Sequence, residues 1–314
     1  MSEQNPKLVN SNITDCIPQC GPCPLGCAEC FYDGGRFYRS LEPLMPSLEE
    51  VQGKVVRVNS GHDSNLQFGL VMEKTTGYLH KFYNTSLPLL RFKAPTVLTI
   101  NGRDTDRTFY YPTQVKGNLR ELMFVRFRVN TWNLKLCDAA VRNWCSLGIP
   151  LVLTDMRYYN EKAVKNPEDY QWKKHILNSY YCLKPERLDM ILRRYANAPL
   201  VFWCGNPFSR STFCEQCRIC ELLYYKTKRR MECDTDDVPK AGYENLPPVN
   251  RTQERVNDGH TILITRQECE NRIKSKDAEE PVIRKVLEII LKEMDHLHVD
   301  QLETERPLGV LVSS

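Results

Sequence analysis

The placement of cysteine constrains this chain more than any other feature. Cys16, Cys20, Cys23, Cys27 and Cys30 fall within 15 residues, where an even spread of 14 cysteines over 314 residues would place fewer than one. Cys204, Cys214, Cys217 and Cys220 occupy a second stretch of 17 residues. Cysteines a few residues apart on a loop can fold around a metal or cluster, because several thiolates then reach one centre. The other five, Cys137, Cys145, Cys182, Cys233 and Cys269, are scattered and read as small buried core residues.

Composition narrows the setting. With 41% hydrophobic and 26% charged residues the chain is expected to be globular rather than disordered or fibrous. Its apolar runs, such as Ile149 to Leu153, are far shorter than the roughly 20 residues that cross a bilayer, so no membrane association is expected. The opening residues Met1 to Lys7 carry an acid and a proline and lead into no apolar stretch. The expected location is therefore cytoplasmic, where thiols stay reduced and ligation explains clustered cysteines better than disulfides do. A net charge of +4 permits a nucleic-acid partner without demanding one.

In the first group, Cys23-Pro24-Leu25-Gly26-Cys27-Ala28-Glu29-Cys30 has the spacing C-x3-C-x2-C. Three thiolates suit a cluster of four irons with one iron left open. Cys16, Cys20 and Cys23 have the same spacing, so two registers exist; Gly26, which can relax the turn, and the aromatics Phe31 and Tyr32 beside Cys30 favour the later one. A structural zinc loop using Cys20, Cys23, Cys27 and Cys30 is the plain alternative.

The later register resembles the radical SAM enzymes. There a C-x3-C-x2-C loop holds a [4Fe-4S] cluster and S-adenosylmethionine chelates the fourth iron. Glu29 stands where that family usually has an aromatic residue, with Phe31 and Tyr32 following. The resemblance implies Cys23, Cys27 and Cys30 as cluster ligands and an electron donor such as a flavodoxin or ferredoxin. Asn59 to Asn65 looks like the family's glycine-rich segment, with Gly61 and an acidic residue, Asp63, that would receive the amino group of S-adenosylmethionine. Tyr32, beside the cluster loop, and Asn130 are further candidate cofactor contacts.

Short β-rich runs recur at Lys7–Ile13, Lys54–Asn59, Lys81–Tyr83, Thr96–Ile100, Met123–Val129 and Pro150–Thr154, separated by helical or turn-rich stretches. This is the pattern of βα units, and six strands fit a partial (β/α)6 TIM-like barrel of the α/β class. The clearest helix runs from Trp132 to Leu147, with apolar residues at helical spacing and Gly148 to stop it. Reactive groups in parallel barrels collect where the strands end, since those loops open on one face. Asn84, Thr85, Thr99, Asn101, Asn130 and Asp155 lie at such ends, though Asn, Asp and Thr favour these places for local capping as well. His62 carries the same two readings, proton shuttle or hydrogen-bonded support.

The second group, Cys204-x9-Cys214-x2-Cys217-x2-Cys220, follows the strand-like Pro199 to Trp203 and forms a cysteine-rich extension to the barrel. Four thiolates close a site and suit either zinc or a second, fully ligated cluster. The basic and aromatic stretch around it (Arg210, Arg218, Tyr224, Tyr225, Lys226, Lys228, Arg229 and Arg230) reads as a solvated face or as a contact for a phosphate backbone. The expected organisation is a core barrel over 1–198, a cysteine-rich segment over 199–231, a polar linker over 232–259, and a strand and helix (Glu280–His298) over 260–314. The expected function is reductive cleavage of S-adenosylmethionine to a 5′-deoxyadenosyl radical that abstracts hydrogen from a small-molecule, peptide or nucleic-acid substrate. The alternative is a non-catalytic zinc protein that binds nucleic acid or a protein partner.

Overall fold

The computed structural model describes residues 5–27, 30, 43–100, 110–174, 179–205, 211 and 213–232, and the backbone of two strands at 260–263 and 309–312. The chain divides into two compact units, Met1–Arg251 and Thr252–Ser314. In the second unit, β10 (His260–Leu263) pairs antiparallel with β11 (Gly309–Val312), so the strand-like run at 260 is a strand. Tyr32, Asn101, Arg210, Cys233, Cys269, most of the expected linker and the Glu280–His298 helix lie outside the described residues.

The first unit is built on seven strands: β1 (Ile13–Cys16), β2 (Val55–Val58), β3 (Lys81–Thr85), β4 (Thr96–Ile100), β5 (Leu122–Val129), β6 (Leu151–Asp155) and, after the β7–β8 hairpin (Tyr170–Lys173 and Tyr180–Leu183), β9 (Val201–Trp203). Apart from the hairpin they pair in chain order, every pair parallel, into one curled sheet that makes a half-barrel. The sheet has one strand more than the expected six, because the apolar run before Cys204 joins the edge of β6.

The first expected strand is displaced. Pro6–Leu8 forms a 3-10 turn whose Lys7 N–H donates to Asn5 Oδ1 at 3.0 Å, and Asn10 turns the chain at φ 58° before β1 begins. Among the described residues, helices are also fewer than a complete βα barrel needs. Described helices are α1 (Phe68–Thr75) between β2 and β3, α2 (Leu134–Ala140, continued by a π turn, Val141–Cys145) between β5 and β6, α3 (Pro185–Tyr195) before β9, and α4 (Cys214–Cys217) and α5 (Ile219–Glu232) after it. Gly148 ends the α2 segment at φ 73°, a conformation that glycine adopts without strain.

Period-two alternation sends each strand's side chains to two different environments. The outer face is apolar: Leu98, Ile100, Val125, Phe127, Leu151 and Leu153 pack with Trp144 and Ile191 from the helices. The concave face changes character along every strand. Ile13, Val55, Phe82, Val97, Phe124 and Val152 form a layer against Ile219, Leu223 and Tyr224 of α5, with Phe202 packed on it. Two residues further on, the same strands present Asp15, Arg57, Asn84, Thr99, Arg126, Thr154 and Cys204. Each fully buried apolar side chain contributes roughly 1.5–3 kcal/mol, so α5 plugs the half-barrel at its strand N-termini and leaves a polar hollow at the other end. Among the described residues, no helix is long and apolar enough to cross a membrane.

Candidate metal centre

Cys23, Cys27 and Cys30 line one cavity of about 200 Å³ at the C-terminal edge of the sheet. Its other walls come from consecutive strand ends: Asn59 to Asp63 after β2, Asn84 to Ser86 at β3, Thr99 on β4, Arg126 and Arg128 on β5, and Thr154 on β6. The loop that carries the thiols is anchored at both sides. Ile17 and Leu44 exchange backbone hydrogen bonds at 2.8 and 2.9 Å, and Gln19 Nε2 donates to the carbonyls of Asp63 and Leu66. Gly21 and Gly26 take left-handed conformations, φ 78° and 54°, that let the chain double back between cysteines. Burial raises the Cys23 thiol above its ordinary pKa, against the pull of the backbone N–H of Leu25.

The structure separates the two candidate registers. Cys16 ends β1 on the outer face, fully buried among Val56, Val58, Tyr78 and Tyr83, with Met45 Sδ 3.5 Å from its sulfur. Burial pushes its thiol up to about 12. Cys20 is exposed to solvent and does not line the cavity.

Gly61 and His62 line the cavity, and His62 Nδ1 accepts the N–H of Asp63 at 3.0 Å. Burial lowers the His62 pKa. The Asp63 carboxylate is taken up locally: Thr85 Oγ1 donates to both oxygens, the Ser86 N–H lies at 2.6 Å and the Asn65 N–H at 2.9 Å. Burial raises its pKa and these donors oppose the rise. Asp63 thus braces the β2 and β3 loops rather than presenting a vacant carboxylate. Asn130 has a local task too. Its Oδ1 accepts the N–H groups of Trp132 and Asn133, its Nδ2 donates to Tyr158 Oη, and it is absent from the cavity lining. The capping reading of that strand end is the one the structure gives.

The four cysteines of the second group share a cavity of similar size, about 200 Å³. Cys204 follows β9 and its N–H extends the ladder to Leu153 O at 2.8 Å; α4 and the first turn of α5 bring Cys214, Cys217 and Cys220 to it. Cys217 Sγ accepts the Gly205 N–H at 3.3 Å. The Cys217 thiol, with the nearby Arg126, Lys7 and Arg57, holds Cys204 below the ordinary thiol range, and Cys217 is raised by the same contact. Burial lifts Cys220 to about 12. Lys7, Arg57, Arg126, Arg128, Arg157 and Arg218 line this cavity against two acids, Asp155 and Glu221.

No family model, curated protein or solved structure matches this chain. Among the described residues no group of three or more His, Cys, Asp and Glu side chains is set to hold a single metal ion. The thiols of each group share a cavity without converging on one point. The basic stretch after Cys220 is partly structural: Arg230 donates to the carbonyls of Arg120 and Leu122, and Tyr224 is buried beside His80. Sequence reasoning missed Arg57, Arg126, Arg128 and Thr154 as lining residues. For the two arginines of β5 a signal existed, since charges at alternate positions of an otherwise apolar strand mark a polar interior.

Proposed function

We propose that this chain is a radical SAM enzyme in which Cys23, Cys27 and Cys30 hold a [4Fe-4S] cluster. One observation carries the reading: these three thiols line a single cavity at the C-terminal edge of a parallel half-barrel, the place where such a sheet gathers reactive groups. The donor set fits a cluster better than zinc. Three thiolates on one cavity are what a four-iron cluster with one open iron takes, whereas a closed structural zinc site takes four ligands, and Cys20, the fourth thiol of the zinc alternative, does not line the cavity. When bound, the cluster supplies the electron that splits S-adenosylmethionine into methionine and a 5′-deoxyadenosyl radical.

The chain's own residues position and shield. Gly61 leaves backbone exposed for close approach, Asp63 fixes the β2 and β3 loops, and the apolar layer under the cavity closes its floor to water. Cys204, Cys214, Cys217 and Cys220 offer four thiolates to a second cluster or to zinc. The electron donor is a flavodoxin or ferredoxin, and the setting is cytoplasmic.

Anaerobic purification tests this directly. A brown protein with iron, sulfide and absorbance near ~400 nm is expected, and Cys27→Ala should abolish reductive cleavage of S-adenosylmethionine while Cys137→Ala, in the outer core, should not. A colourless protein with stoichiometric zinc would overturn the reading in favour of a non-catalytic zinc protein.

A further inference from the structure

The space between the two cysteine groups has a chemistry that thiol ligation leaves unexplained. Ser60, Arg126, Arg128 and Thr154 line both cavities, and no carboxylate is among them. Ser60 Oγ and Thr154 Oγ1 are buried without a hydrogen-bond partner, and so is Asn59 Oδ1 next to them in the chain. A buried polar group left unsatisfied is costly, so two hydroxyls in that condition lining the same cavities call for a ligand. The guanidinium of Arg126 meets Asn84 Oδ1 at 3.3 Å, and among the described residues no acidic side chain forms an ion pair with it.

Charge points the same way. Asp15 pairs with Arg57 at 2.6 Å, Asp155 with Arg157 at 3.5 Å and Glu221 with Arg218 at 3.3 Å. Arg126, which lines both cavities, stands outside those three pairs. Thiolates of the second group draw cations as well, yet with all four cysteines in place both hydroxyls still lack a partner. A hydroxyl and a guanidinium together suit an oxyanion, which accepts from both, and Arg offers a planar fork to a carboxylate or phosphate.

We propose that this shared space binds an oxyanion group of the substrate, a carboxylate or a phosphate, held by Arg126 and completed by the hydroxyls of Ser60 and Thr154. The word substrate rests on the enzyme reading above; the oxyanion site rests on the lining. It makes the substrate a small acidic molecule or a phosphorylated one, with the anionic group seated between the two cysteine groups.

The test uses the full chain reconstituted with iron and sulfide. Inorganic phosphate and malonate are titrated separately by calorimetry, each with and without saturating S-adenosylmethionine. At least one should bind, and bind equally well when S-adenosylmethionine is present; which one binds distinguishes phosphate from carboxylate. Arg126→Gln should weaken that binding about tenfold or more, and the near-isosteric Thr154→Val about threefold or more. Failure of both anions to bind overturns the proposal, as does displacement of the anion by S-adenosylmethionine, since the site would then be the cofactor's own. Wild-type anion affinity in Thr154→Val overturns it even if Arg126→Gln does not fold. Anion binding without cleavage of S-adenosylmethionine would instead sink the enzyme reading and leave the oxyanion site standing.

Discussion

The two cysteine groups share a residue type, and their cavities share four lining residues, yet the fold treats them differently. Cys23, Cys27 and Cys30 sit half-buried on a loop closed by backbone hydrogen bonds and glycine turns. Cys217 is a buried member of the core layer formed by Leu8, Ile13 and Ile219, and Cys204, Cys214 and Cys220 pack against that layer. The first group can therefore be altered with little effect on the core, whereas the second is part of the packing that plugs the half-barrel. Spacing in sequence reports which thiols can meet; the surrounding side chains decide whether the meeting place is a replaceable loop or a structural joint.

The largest expected effect breaks this contrast if it fails. Cys217→Ala removes a buried sulfur from the α5 layer and should cost about 3 kcal/mol, within the range for core truncation with loss of a buried network. In a unit of this size that lowers the thermal midpoint by roughly 6–12 °C. Cys27→Ala should lower it by less than about 4 °C, since Cys27 belongs to none of the three apolar clusters. Equal losses in calorimetric melts of the two variants would show that both groups are structural.

A smaller effect concerns the brace beneath the first group. Asp63→Asn keeps the size of the side chain but turns an NH₂ toward groups that now donate to a carboxylate, namely Thr85 Oγ1 and the N–H groups of Asn65 and Ser86. The expected cost is about 2 kcal/mol in urea unfolding, from donors left facing a donor. An unchanged midpoint would mean that the loops are held by Gln19 instead, whose Nε2 bridges the Asp63 and Leu66 carbonyls.

What was legible in the sequence follows from which signals are local. The helix before Gly148 could be read because spacing and stop signal agree, and strands β2 to β6 because each is a compact β-branched or aromatic run. Strand β1 was misplaced since Leu8 and Val9 supply apolar residues to a segment that Asn5 and Asn10 turn into a loop. Asn130 and Asp63 show why strand-end polar residues are ambiguous: a cap and a ligand contact use the same chemistry, and only the partners distinguish them. Arg126, Ser60 and Thr154 were invisible as a set, because they come from three strand ends that only the curl of the sheet brings to one cavity.

The smallest expected effect sharpens the contrast from outside both groups. Cys16 belongs to the first group by sequence and to the outer core by structure, and burial raises its thiol from 9.0 to about 12. Between those values the folded protein keeps a proton that the unfolded chain gives up, so the folded state binds more protons and stability must fall as pH rises. The contribution is fully present below pH 9 and is lost as pH climbs towards 12, with a slope for this thiol of at most about 1.4 kcal/mol per pH unit. Cys16→Ala should flatten the alkaline loss in denaturant midpoints measured from pH 8.5 to 10.5. Native-state alkylation at pH 8 checks the burial independently, with the exposed Cys20 labelled and Cys16 protected. Rapid labelling of Cys16 would mean that the end of β1 opens, and the division between cluster loop and core would have to be drawn elsewhere.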